Sequence, residues 1–208
     1  MTLFALNTRN LFYKVIFSFE YLAMQAKPIV YVSRITNLSD ARYCAGMGVD
    51  MLGFLIDPSH PDYVSPTAYL EMIGWVSGPR RVVEITEGMT PELDEVMASY
   101  APDFIHVNAG ALPHVGNPPV PLLVSMDGPA QVLPHNNIAF IIRSAEQSSA
   151  EDKSGLEFLI ALQHNVSSPM ELLNRTGAAG FALQGSRETS PGLKDYDHLS
   201  KILEELDK

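Results

Sequence analysis

A single cysteine, Cys44, is all the thiol chemistry this chain holds. That excludes an internal disulfide framework and any cysteine-based zinc cluster, and it points to a reducing, cytoplasmic setting. Basic charge is scarce as well. The 14 Lys and Arg are outnumbered by 24 Asp and Glu, for a formal net charge of −10. Such a balance argues against nucleic acid or an anionic membrane as the main partner and reads most simply as solubility. No apolar run is long and clean enough to span a bilayer. HExxH, P-loop and GxGxxG motifs are all missing. His60, His106, His114, His135, His164 and His198 are scattered without metal-ligand spacing, so neither metal nor cofactor is expected.

What is present is apolar. The chain has 208 residues, 46% of them hydrophobic, enough to bury the core of one domain. Its first 26 residues, MTLFALNTRNLFYKVIFSFEYLAMQA, stand apart from the rest. They are rich in Phe, Leu, Ile and Tyr, but Glu20 and the polar breaks spoil a secretory h-region. Met24 lies just before QAKPIVYV, which favours an over-long start, with an externally packed helix and a signal as the alternatives. Residues 1–26 are therefore read as an extension and 27–208 as the folded domain.

From Pro28 onward short apolar runs alternate with helical or turn-rich stretches. Candidate strands are Ile29–Val32, Met51–Leu55, Arg81–Ile85, Phe104–Val107, Leu122–Ser125, Ala139–Ile142, Phe158–Ala161 and Gly180–Leu183. Amphipathic segments such as Leu38–Gly48 and Pro91–Tyr100 lie between them, with Ser39 or Asp40 as the start of the first helix and Gly46/Gly48 as its end. Strands alternating with helices predict a parallel α/β architecture, and eight of them predict closure into a (β/α)8 barrel. GALPHVGNPPVP and DGPAQVLPHNN are too rich in Pro and Gly for long helices, so those in the middle of the chain should be short or missing. Cys44 at helical spacing with Ala41 and Ala45 reads as core, and Met72 and Trp75 as helix-packing residues.

Three stretches then carry a resemblance. GVDMLGFLIDPSHPDYVSP (Gly48–Pro66), ETSPGLKDYDHL (Glu188–Leu199) and ITNLSDA (Ile35–Ala41) resemble the second-strand, post-eighth-strand and first-loop segments of the phosphoribosylanthranilate isomerases. PDFIHVN sits where that family's fourth strand would be. The family is a tryptophan-pathway (β/α)8 barrel that converts an aminoaldose to an aminoketose. The chemistry needs an acid to open the furanose and a base to take the C2 proton.

The resemblance also shows what has been replaced. The family base is a Cys ending the first strand, in a Lys-Ile-Cys-Gly-Ile-Thr pattern that aligns with Tyr31–Thr36. Ser33 stands at the base position. A thiol titrates near about 8.5 and can be tuned to neutrality, whereas an alcohol with no activating base cannot do that work. The family's acid, an Asp ending the sixth strand, falls on Arg143 in FIIRSA, and a guanidinium neither gives nor takes that proton. The Arg that pairs with the anthranilate carboxylate falls on Asp62. The Gly-Gly after the seventh strand falls on Leu162-Gln163, where side chains would crowd the phosphate approach. Gly185, Ser186 and Arg187 remain as an anion cradle or an ordinary turn.

Other polar residues offer a rebuilt site. Glu84 lies within the third strand, where a buried carboxylate needs Arg34 or Arg143 as partner and would gain basicity from burial. His106 and Asn108 end the fourth strand, and Asp57 follows the second. Ser125, Gln163, His164 and Gln184 add donors and acceptors without a legible triad. Three functional classes follow. The favoured one is an isomerase-like pseudoenzyme barrel, monomer or homodimer, whose mouth binds a small anionic or phosphorylated metabolite at Arg34, Asp62, Asn108, Gln163 and Gly185–Arg187. The others are a working enzyme using Glu84, His106 or Asp57, and a non-catalytic scaffold or regulatory partner.

Overall fold

The computed structural model describes residues 27–126, 137–147, 155–162, 168–185 and 197–206. Eight parallel strands close into a barrel in chain order: β1 (Ile29–Ser33), β2 (Met51–Leu55), β3 (Arg80–Ile85), β4 (Phe104–Asn108), β5 (Leu122–Ser125), β6 (Ile138–Ser144), β7 (Phe158–Ala161) and β8 (Gly180–Gln184). Closure is made by β1 on β8, in register from Ile29↔Gly180 to Ser33↔Gln184. The (β/α)8 expectation is met, and each expected strand is present within two residues of its expected ends.

The strands form where they do because parallel barrel strands are covered on both faces and read as continuous apolar runs. Side chains alternate across the sheet. Ile29, Tyr31, Met51, Val82, Phe104, Leu123, Phe140, Ile142 and Leu159 fill the barrel interior. The intervening Val30, Val32, Leu52, Phe54, Val83, Ile105 and Phe181 pack outward against the helices. Each such side chain, fully buried, contributes roughly 1.5–3 kcal/mol relative to exposure.

The described helices are α1 (Leu38–Gly46), α2 (Pro66–Ile73), α3 (Leu93–Tyr100), α4 (Leu112–Val115), α5 (Pro169–Thr176) and α6 (Asp197–Leu206), with a 3-10 turn at Ala145–Gln147. The helix after β4 is a single turn, as its Pro and Gly content requires; the segment after β5 lies outside the described residues. Two local expectations are corrected. Asn37, rather than Ser39 or Asp40, caps α1, its side chain accepting from the Asp40 amide at 2.9 Å; a short amide side chain one residue before the helix satisfies that orphan N–H. Trp75 does not pack. It follows the Gly74 cap of α2, leaves the helix face and is 74% exposed, while Met72 on the buried face is core and Cys44 is buried as expected. Among the described residues no helix is long and apolar enough to cross a membrane.

Candidate functional site

The C-terminal ends of the strands form the barrel mouth, where catalytic side chains of such barrels sit. Glu84 projects from β3 into the upper interior and is only 4% exposed. Two groups of one residue hold it. The Arg34 backbone amide donates to Oε1 at 2.9 Å, and Arg34 Nε donates to Oε2 at 3.0 Å. To do this Arg34 adopts φ 59°, the left-handed region that costs a side-chain-bearing residue about 1–2 kcal/mol. In the family pattern this position is Gly, so here two hydrogen bonds to a buried carboxylate offset a strain that Gly would not incur.

Glu84 is also the end of a longer chain of contacts. Tyr31 Oη, from β1 and fully buried, donates to Glu84 Oε1 at 3.0 Å. The same oxygen lies 3.0 Å from His106 Nδ1 on β4, and His106 Nε2 lies 2.6 Å from Ser125 Oγ on β5. Room for this chain is made by Gly53 on β2. A Cβ there would lie 2.0 Å from Glu84 Oε1 and 2.4 Å from Tyr31 Oη, so the polar contact occupies the volume a side chain would take.

Burial sets the protonation states. It pushes the Tyr31 phenol well above its usual value, with the Glu84 charge adding to the effect, so Tyr31 keeps its proton. Burial likewise raises Glu84, while the Arg34 amide and guanidinium and the Tyr31 hydroxyl pull it back in part. His106 is pushed down to about 4, by burial first and then by the Arg34 charge, and is neutral at pH 7. With one proton on each group, hydrogen-bond logic assigns Ser125 O–H to His106 Nε2, His106 Nδ1–H to Tyr31 Oη, and Tyr31 O–H to Glu84.

The outer rim is ionic. Arg34 Nη1 lies 3.4 Å from Asp62 Oδ2 and 3.1 Å from His60 Nε2, in the loop after β2. Asp62, expected to repel an anionic ligand, is countered by this guanidinium. Asp57 accepts from Ser59 and, by a short contact, from the Thr86 hydroxyl, which together hold its carboxyl below the usual range. Asn108 uses its Oδ1 to accept the Gly110 amide at 2.7 Å and shapes the loop after β4.

The remaining expected residues divide. Ser33 ends β1 at the mouth, but its Oγ donates to the Leu183 carbonyl at 3.1 Å. Gly185 donates its amide to the Ser33 carbonyl at 2.9 Å, tying the two loop starts together. Arg143 does not reach the mouth. Phe140 and Ile142 occupy the interior, so alternation turns Arg143 outward, where its buried guanidinium sits 5.9 Å from the centroid of Phe158. Of the two partners expected for Glu84, Arg34 rather than Arg143 pairs with it, and by alternation from Phe140 and Ile142 Ser144 is the inward-facing residue at that end of β6. Gln163, Ser186 and Arg187 lie outside the described residues. Tyr31 was not assigned a role from sequence, and Ser125 only that of one more donor or acceptor near the mouth; the signal available was their inward phase, shared with Glu84 and His106.

This chain is similar to solved structures over most of its length. It superposes on the Thermus thermophilus phosphoribosyl anthranilate isomerase with a TM-score of 0.61 at 18% identity, covering 86% of this chain and 98% of that one. The fold is that of the phosphoribosyl anthranilate isomerases. A monomeric form of the dimeric Thermotoga maritima isomerase gives a TM-score of 0.66 at 16% identity, with the same coverage. A Thermotoga maritima phospho-2-dehydro-3-deoxyheptonate aldolase gives 0.57 at 14% identity, over 87% of this chain and 68% of that one. No family model and no curated protein matches the sequence.

Proposed function

We propose that this chain is a cytoplasmic phosphoribosyl anthranilate isomerase-like barrel that has given up the isomerisation and binds a small anionic metabolite at its mouth. The observation that carries the reading is the state of the two proton-transfer positions. Ser33 at the base position spends its hydroxyl on the Leu183 carbonyl, and among the described residues no base hydrogen-bonds to it. Arg143 at the acid position faces the helix layer. Losing a positioned acid or base costs about 10²–10⁴ in rate each, so both losses together remove useful turnover.

Ligand binding follows from what remains. Arg34 keeps about a quarter of its side chain exposed above Glu84 and Asp62, and Gly185 is followed in sequence by Ser186 and Arg187, the candidate anion-binding residues. Without the glycine pair after β7, phosphate affinity should be weak. Complementation of a tryptophan auxotroph that lacks the isomerase tests the loss of activity, with no growth expected. Calorimetry with phosphoribosyl anthranilate tests the binding, and tight saturable binding would contradict a rebuilt mouth.

A further inference from the structure

We infer that Ser125 is an activated hydroxyl that accepts an acyl group from small activated carboxylic esters or thioesters, its proton carried by His106 and Tyr31 to Glu84. The inference goes beyond the reading above and does not depend on whether isomerisation is lost. It stands on geometry: Ser125 Oγ to His106 Nε2 at 2.6 Å, His106 Nδ1 to Tyr31 Oη at 3.0 Å, and Tyr31 Oη to Glu84 Oε1 at 3.0 Å. Nucleophile, base and orienting group within hydrogen-bond reach are the arrangement that nucleophilic catalysis requires. Here the orienting group is a phenol backed by a carboxylate. Ser125 ends β5 on the inward face, partly exposed, at the rim of the barrel.

A His held neutral to about pH 4 is a weak base by itself. The chain of contacts removes that difficulty, because no charge need rest on the imidazole. As Ser125 Oγ bonds to the acyl carbon, its proton passes to His106 Nε2. The Nδ1 proton passes to Tyr31, and the Tyr31 proton passes to Glu84, whose carboxylate becomes a carboxylic acid. Burial raises the affinity of Glu84 for that proton. The bond from the acyl carbon to the leaving oxygen or sulfur then breaks. His106 Nε2–H protonates the leaving group as the other protons step back. Water releases the acyl group by the same steps. Ser125 and His106 touch the reacting atoms; Tyr31 and Glu84 act through them as positioning residues.

An alkyl fluorophosphonate tests the assignment on the full chain. Attack by Ser125 Oγ forms an O–P bond and expels fluoride, a reaction that ordinary serines do not undergo. The expected result is one adduct on the peptide bearing Ser125, absent from Ser125→Ala, and formed at least tenfold more slowly in Tyr31→Phe at equal helical signal by circular dichroism. With p-nitrophenyl acetate the same serine should carry the acetyl group. An unlabelled Ser125 in folded wild-type protein would overturn the inference. So would a folded Tyr31→Phe that labels as fast as wild type, since the relay would then be idle. Should Tyr31→Phe fail to fold, Glu84→Gln supplies the same comparison. Labelling is read independently of phosphoribosyl anthranilate turnover, so the two readings can fail separately.

Discussion

Arg34 grips Glu84 twice, through its own backbone amide at 2.9 Å and through Nε at 3.0 Å. One residue thereby supplies both a main-chain and a side-chain donor to a buried carboxylate, and it does so from a left-handed backbone. Replacement should separate the two contributions. Arg34→Gly and Arg34→Ala both delete the guanidinium and leave Glu84 short of a partner, so both should be less stable than wild type. The Gly variant should be the more stable of the two by about 1 kcal/mol, because only Ala carries the φ penalty. Urea denaturation of the pair measures this difference directly.

Gly53 is expected to tolerate no side chain. In Gly53→Ala the new methyl meets Glu84 Oε1 and Tyr31 Oη, neither of which can retreat without abandoning a hydrogen bond. Overpacking of this kind costs about 1–3 kcal/mol. Thermal unfolding should register the loss, and an unchanged melting temperature would show that the interior is looser than the contacts imply.

How much of this was legible in the chain differs sharply between scaffold and site. The eight strands could be read because burial on both faces makes them unbroken apolar runs between Pro- and Gly-rich punctuation. Tyr31 hid in one of those runs, noted only as the start of the aligned Tyr31–Thr36 stretch, although its hydroxyl is the pivot between Glu84 and His106. Arg143 was assigned by aligned position, which fixes a place along a strand but not a face. Counting phase from Phe140 and Ile142 would have turned it outward. The pairing of Glu84 with Arg34 was available as one of two partners, but the positive φ that brings the Arg34 amide into the contact leaves no mark in a sequence whose residue there is not Gly.

The outward face of Arg143 makes a prediction about rescue. Ser33→Cys with Arg143→Asp should restore no isomerase activity, because the new carboxylate enters the helix layer and cannot reach a sugar at the mouth. Ser33→Cys with Ser144→Asp places both groups on the inward face. It should still turn over poorly unless Asp62→Arg supplies a partner for the anthranilate carboxylate. Steady-state assays of the three combinations order them.

His106 and Glu84 should shape stability on the acid side in opposite directions. His106 titrates at about 4 when folded, against an ordinary value of 6.5. Its contribution is thus present above pH 6.5 and lost as pH falls towards 4. The ring keeps some contact with solvent, so about 3 kcal/mol is a ceiling on that loss. Glu84 is raised when folded, so its contribution is present below the ordinary carboxylate range and is lost as pH rises through the folded value. His106→Asn should flatten the fall in stability between pH 6.5 and 4, and Glu84→Gln should steepen it. Denaturation midpoints across that window check both signs.

Residues 1–26, read from the sequence as an extension, precede a first strand that starts at Ile29 and pairs with β2 and β8. A chain beginning at Met24 is therefore expected to remain folded and soluble, with a melting temperature close to that of the full chain. A large drop would make the first 23 residues an integral layer of the domain.

We propose that an isomerase-like barrel has kept its frame and lost its proton-transfer pair. Purified wild-type protein should be given freshly generated phosphoribosyl anthranilate while the decay of the substrate's fluorescence is followed. Decay no faster than the spontaneous rate is expected at micromolar protein. Saturable turnover comparable to that of ordinary isomerases of this fold would contradict it.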